Sequence, residues 1–190
     1  MKGFNAVDFL LSAYKPEQFP KPEVPEAAFI GRSNVGKSSL LNLLCGHSAA
    51  RVSKSPGRTQ AINFFRADGM LLADLPGYGY AKVSQELRKS WGALIEGYLA
   101  NRSNLRIVVW IVDSRRKPDS FDDMLRDWLT HNNLHYILVI NKIDKIPKNL
   151  ISREASAIVS SFPGVRYVLS STKTGKGGDE VMKLIRESRG

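Results

Sequence analysis

The sequence predicts a three-layer α/β domain, a mostly parallel six-stranded sheet with helices on both faces. Three observations carry that expectation. Short β-rich apolar runs alternate with segments of helical spacing, a glycine-rich turn joins the first such run to the first helix, and 43% of the 190 residues are hydrophobic. Alternation of this kind is the signature of parallel strands connected by covering helices. The length suits one domain able to bury a core.

Residues 1–26 read as an N-terminal extension packed on the domain, and residues 27–190 as the domain itself. The stretch KPEQFPKPEVPE (15–26) holds four prolines, which marks an extended lead-in rather than a helix. The strands follow as AAFI, INFFRA, MLLAD, RIVVWIVD, YILVIN and VRYVLS, each short and bounded by turn residues. Between them KSSLLNLLCG, QELRKSWGALIEGYLANR, SFDDMLRDWLTHNN, NLISREASAIVSSF and GDEVMKLIRES carry helical spacing. The segment between LLCG and INFF has no clear pattern and reads as a mobile loop. No internal repeat stands out.

Composition removes several function classes. The single cysteine, Cys45, allows no internal disulfide and hints at no cysteine-rich zinc site. The opening MKGFNAVDFLLSAYKPEQF is cut by Asp8 and lacks a small-residue cleavage site, so it does not read as a signal peptide. No apolar run approaches the roughly 20 residues of a membrane span, and neither a myristoyl nor a prenyl signal is present. The expectation is a soluble, cytoplasmic, monomeric protein with no membrane role.

Charge is more informative. Lys and Arg number 28 against 18 acidic residues, a formal net charge of +10. Residues 82–117 hold eight basic and three acidic side chains, residues 145–190 nine and four, while residues 118–144 reverse the balance with two and five. A segregated positive field favours polyanions, nucleic acid above all. The alternative is a solvated basic surface whose one anion is a nucleotide.

The glycine-rich turn is G-x-x-x-x-G-K-S at residues 31–38, directly after a strand and opening a helix. That context makes it a P-loop. Gly31 and Gly36 let the backbone of Arg32, Ser33, Asn34 and Val35 bend so that N–H groups face phosphate oxygens, with the helix N-terminus behind them. Lys37 would reach the β- and γ-phosphates, the Ser38 hydroxyl would ligate Mg²⁺, and Ser39 follows in the same turn.

A second motif selects the base. N-K-x-D occupies Asn141, Lys142, Ile143 and Asp144 at the end of YILVIN. The Asp144 carboxylate can accept from both N1–H and the 2-amino group of guanine, whereas adenine would leave it unpaired. The Lys142 stem can lie along the base, and Asn141 can brace the P-loop. Ser170 and Ser171 lie where a backbone N–H would meet guanine O6, the alternative being a polar strand end, and Leu169 before them is a further candidate nucleotide contact. MLLADLPG adds Asp74 behind Mg²⁺, with Leu75, Pro76 and Gly77 following, the Gly77 N–H meeting the γ-phosphate. In the unpatterned segment, Gly57, Arg58, Thr59, Gln60 and Ala61 include Thr59 as the second magnesium ligand, recruited only while the γ-phosphate is present. Lys37, Thr59 and Gly77 are the candidate catalytic groups. Together these residues predict a P-loop GTPase (Ras-like) fold. Where many such enzymes carry a water-orienting glutamine after the glycine, this chain has Tyr78. Tyr78 and Tyr80 are candidates either for stacking on bases or for packing in the core.

With these motifs in place the chain resembles the EngB (YsxC/YihA) family of bacterial GTPases, in the translation-factor-related group of P-loop GTPases. The residues that carry the resemblance are GRSNVGKSSLLN, VSKSPGRTQAINFF, DLPGYGYAKVS and YLANRSNLRIVVWIVDSRRKPDSFDDMLRDWL. Asn141 stands where the family usually has Thr. Tyr78 in place of the glutamine implies slow GTP hydrolysis, and the resemblance implies a role in assembly of the large ribosomal subunit through rRNA and ribosomal proteins, with cell-division and septation defects when the protein is lacking. The basic stretches ARVSKSPGR (50–58) and AKVSQELRKSW (81–91) would be the RNA-facing surfaces. Asn34 matches the position that holds K⁺ in some related GTPases. A different class, a GTP-dependent division-site protein acting through protein partners, finds no supporting heptads or long extension.

Overall fold

The computed structural model describes residues 3–4, 7–46, 61–78 and 85–189, apart from the side chains of residues 85–91. Seven strands form one sheet: β1 (Asp8–Ala13), β2 (Glu26–Gly31), β3 (Ile62–Ala67), β4 (Met70–Asp74), β5 (Leu105–Asp113), β6 (Tyr136–Asn141) and β7 (Arg166–Leu169). Their spatial order is β1-β3-β4-β2-β5-β6-β7. β2 runs parallel to β4 and β5, β6 parallel to β5 and β7, and only β1–β3 and β3–β4 are antiparallel.

The fold class is the one expected, but the sheet has seven strands rather than six. The additional strand, β1, pairs along the outer edge of β3 with a bulge between Phe9 and Leu11. Only Ala13 of β1 is fully buried, while Phe9 and Leu10 are exposed. An edge strand lying half in solvent needs no clean alternation, so its sequence pattern is weak. Ahead of β2 the proline-rich lead-in contains no strand or α-helix, only a 3-10 turn at Pro16–Gln18 and a tight turn in which the Glu23 N–H donates to the Lys21 carbonyl at 2.9 Å. It is tied down by Phe19, whose ring meets Phe64 and Tyr98 at 6.0 and 5.6 Å, and by Arg102, which donates to the Pro20 carbonyl at 2.7 Å.

Helices α1 (Lys37–Cys45) and α5 (Gly178–Glu187) cover one face; α2 (Gln85–Asn101), α3 (Ser120–His131) and α4 (Ile151–Val159) cover the other. The central strands are buried on both sides, and successive residues divide between the two cores. Phe29, Val109, Ile111 and Val139 pack with Leu40, Leu44, Val181 and Ile185, whereas Ile30, Val108, Trp110 and Ile140 pack with Leu94, Tyr98, Leu129 and Ile158. The period of two along each strand is what assigns each side chain to a face. β2 lies between β4 and β5, so its carboxyl end opens at the point where the connections diverge, the usual ligand crevice of such sheets. Among the described residues no helix is long and apolar enough to cross a membrane.

Candidate nucleotide site

The P-loop leaves the carboxyl end of β2 and enters α1. Asn34 and Gly36 take left-handed backbone conformations, φ 66° and 98°, and the alternation of handedness produces a concave nest of N–H groups. Gly36 has a second reason to be glycine. A Cβ there would lie 2.4 Å from Nδ2 of Asn141, so the loop could not sit against the base-side motif. Gly31 is similarly confined, with the Ile111 carbonyl 2.5 Å from the position of a Cβ. Ser38 and Ser39 fall in the first turn of α1, half-buried, and Lys37 Nζ is paired with Asp74 Oδ1 at the end of β4.

Asp74, Leu75 and Pro76 are buried, and Gly77 returns the chain to the P-loop. The Tyr78 N–H donates to the Gly31 carbonyl at 3.2 Å, and the Ser33 N–H donates to the Tyr78 carbonyl at 3.0 Å. This two-bond bridge holds Gly77 against Ser33, whose hydroxyl reaches the Gly77 carbonyl at 3.4 Å. The side chain of Tyr78 points the other way. It is 1% exposed, stacks on Phe121 at 5.0 Å, accepts from Trp110 Nε1 at 2.7 Å and donates to Asp122 Oδ1 at 2.9 Å. Of the two roles open to it, packing in the core is the observed one. Burial, reinforced by the Asp122 carboxylate, pushes the phenol far above its ordinary range, so it is not a base.

Sequence reasoning missed the acidic pair behind this tyrosine. Asp119 and Asp122 form a capping box at the start of α3: Asp119 Oδ1 accepts from the Phe121 N–H, and Asp122 Oδ2 accepts from the Asp119 N–H. Asp119 also takes the guanidinium of Arg32 at 2.6 Å. Arg32 therefore contributes its backbone to the P-loop and its charge to α3. The spacing D-x-x-D before a periodic apolar run was the available signal.

The base-side loops converge from β6 and β7. Asn141 is fully buried and donates from Nδ2 to the Val35 carbonyl at 2.9 Å, bracing the P-loop as expected. Lys142, left-handed at φ 65°, donates from Nζ to the Asn34 carbonyl and to Asp113 Oδ2. Ile143 is buried beneath the turn, and its N–H donates to the Ser170 carbonyl. Asp144 is exposed and accepts from the Ser171 hydroxyl at 2.6 Å, a bond that holds its carboxyl below the ordinary range. Leu169 ends β7 half-buried.

One expectation needs correcting here. The Ser170 N–H is committed to the Ile140 carbonyl at 2.8 Å and the Ser171 N–H to the Lys176 carbonyl at 3.0 Å. Neither amide is free for guanine O6. The remaining amide belongs to Thr172, which points loosely at Asn141 Oδ1 at 3.4 Å. Ser171 serves instead through its hydroxyl, fixing Asp144.

The donors fit the ligands that the motifs imply. The Ser38 hydroxyl at the start of α1 and the Asp74 carboxylate at the end of β4 are hard oxygens, as magnesium prefers. Among the described residues no three His, Cys, Asp or Glu side chains converge on a point, so such an ion would complete its shell from phosphates and water. Ala61 is buried just before β3, whereas Gly57, Arg58, Thr59 and Gln60 lie outside the described residues, as do Tyr80 and Lys82.

Comparison with known proteins agrees with this geometry. Residues 26–142 match a family model described as 50S ribosome-binding GTPase. A probable GTP-binding protein EngB from Geobacter metallireducens is 44% identical over 185 residues, which span 95% of this chain and 91% of the relative. A crystal structure of a probable GTP-binding protein EngB superimposes with a TM-score of 0.71 at 25% identity, covering 85% of this chain and 99% of that one. A structure of Era in complex with MgGDPNP and nucleotides 1506–1542 of 16S ribosomal RNA gives a TM-score of 0.71 at 26% identity, covering 87% of this chain and 56% of that one.

Proposed function

Because this chain belongs to the EngB family of GTP-binding proteins, whose domain is a GTPase, we propose that it is a switch that binds the large ribosomal subunit during assembly when loaded with GTP. One observation carries the nucleotide part of this reading. Loops from the ends of β2, β4, β6 and β7 meet at one edge of the sheet, joined by hydrogen bonds from Asn141 to Val35, Lys142 to Asn34 and Ser33 to Tyr78. Phosphates would lie on the P-loop backbone and Lys37, and guanine between Lys142 and the Asp144 carboxylate. A magnesium ion bound with the nucleotide would be held by Ser38 and, on the sequence reading, by Thr59, with Asp74 behind; it neutralises charge on the phosphates.

The ribosomal part is supported by the description of the matched family, by the RNA bound to the Era relative, and by the excess of basic residues. On this reading the protein works as a monomer in the cytoplasm, touches rRNA and ribosomal proteins, and supports division and septation through the supply of ribosomes. Co-sedimentation with purified large subunits tests it. Pelleting in GTP that is lost in GDP is the expected result; equal pelleting with both nucleotides, or none, would sink the switch.

A further inference from the structure

Asp113 ends β5 opposite Asn141 of β6 and is buried. Its Oδ1 accepts from the N–H and Nε of Arg115 at 3.1 and 2.9 Å, and its Oδ2 from Arg115 Nη2 at 2.7 Å and Lys142 Nζ at 3.0 Å. The Lys142 ammonium thus spans two acceptors on different elements, this carboxylate and the Asn34 carbonyl of the P-loop. The Asn34 carbonyl alone is neutral and would leave a half-buried cation without a counter-charge. The lysine backbone is itself in the left-handed region, a conformation that a non-glycine residue keeps only when its surroundings hold it.

We propose that Asp113 is a positioning residue for the nucleotide, holding the Lys142 ammonium down on the P-loop so that the lysine stem is a fixed wall for the guanine ring. The proposal rests on the reading that the Asn141–Asp144 turn receives guanine. Burial by itself would raise the Asp113 carboxyl, but hydrogen bonds from Arg115 and Lys142 carry it below the ordinary range, so the counter-charge is present at neutral pH. Arg115 is half exposed and bonded to Asp113, with its charge also felt by Asp144, whereas Lys142 is the residue that hydrogen-bonds both Asp113 and the P-loop. The action is at the base end, so both nucleotides should feel it equally.

Calorimetric titration of GDP and GTP into the wild type, Asp113→Asn, Lys142→Met, the double variant and Arg115→Ala tests this. Asp113→Asn should weaken both nucleotides about tenfold, the size of one lost charge-assisted contact, with the GTP/GDP ratio unchanged. The double variant should be no weaker than Lys142→Met within about twofold, because both changes remove one wall. Arg115→Ala should stay within about threefold. Losses that multiply in the double variant, or a tenfold loss from Arg115→Ala, would assign the effect to the fold of the loop and overturn the proposal. Full affinity in Asp113→Asn with a loss in Lys142→Met would overturn it while leaving the guanine site standing. Full affinity in Lys142→Met would remove the site reading, and the proposal with it. If the amide variant does not fold, Asp113→Ser is read in the same cycle.

Discussion

Tyr78 occupies the position of a water-orienting glutamine, yet its hydroxyl is spent between Trp110 and Asp122 inside the protein. The backbone of Gly77 and Tyr78 still docks on the P-loop, so on the proposed reading the Gly77 amide can serve the γ-phosphate while the side chain at position 78 is not available to orient water. Single-turnover hydrolysis by the isolated protein in sodium should accordingly be slow, at or below the roughly 10⁻⁴ per second of an unassisted small GTPase. Acceleration should appear on adding large subunits, or on exchanging sodium for potassium if Asn34 helps hold a cation. Fast turnover in sodium alone would mean that another side chain orients the water. Tyr78→Phe separates the structural role. It leaves the Trp110 N–H and Oδ1 of Asp122 without their tyrosine partner, and should lower unfolding stability by about 1–3 kcal/mol, read from the urea midpoint. Asp144 gives a pH test. Its folded carboxyl titrates below the ordinary range because Ser171 donates to it, so the anion that guanine requires is present at neutral pH and lost only as pH falls through that lowered value. The ratio of GDP to IDP affinity, in which phosphate titration cancels, should therefore stay constant from pH 7 to about pH 5. Ser171→Ala should bring the loss to higher pH.

At the scale of elements, legibility followed how completely each segment was committed to one environment. The strands from AAFI to YILVIN read clearly because both faces are buried, and α5 because its buried Val181, Met182, Leu184 and Ile185 lie at helical spacing. β1 was hidden because an edge strand half in water carries no such constraint. The P-loop and N-K-x-D motifs were legible because phosphate and guanine dictate backbone and carboxylate chemistry at fixed spacing. Asp113, Asp122 and Thr172 were not, since their roles arise from neighbours distant in sequence: Lys142, Tyr78 and Asn141. The same coupling makes α1 testable. Cys45, the one cysteine, is buried at the end of this helix, and burial pushes its thiol up to about 12. A thiol reagent reaches it only when α1 opens. Because α1 begins at the P-loop, GDP should slow labelling in proportion to one plus the ratio of its concentration to its dissociation constant. A labelling rate indifferent to GDP would show that the helix opens without disturbing the phosphate loop.

For the whole molecule the governing quantity is charge, +10 overall and unevenly spread. Arg115, Arg116, Lys117, Lys145, Lys148, Lys173 and Lys176 are exposed on the segments that follow β5, β6 and β7, so a polyanion approaching this edge of the sheet meets a positive field. The basic residues 50–58, and the side chains of Arg88 and Lys89, lie outside the described set, and their place in an RNA contact rests on sequence alone. Electrostatics still supplies a sharp test of the partner. Each protein cation that replaces a counterion at an RNA phosphate adds to the slope of affinity against salt. If RNA is the contact, the GTP-dependent association with large subunits should weaken steeply as salt rises, while nucleotide affinity, which rests on few charge contacts, changes much less. Reversing Arg88 and Lys89 to Glu should reproduce the effect of high salt at low salt and flatten the remaining slope, again with GDP and GTP binding intact. Sedimentation across a salt series, for the wild type and for the reversed variant, measures both. A flat salt dependence in the wild type would place the contact on a ribosomal protein through apolar surface, and a reversed variant that binds as tightly as the wild type would move the RNA contact away from the start of α2.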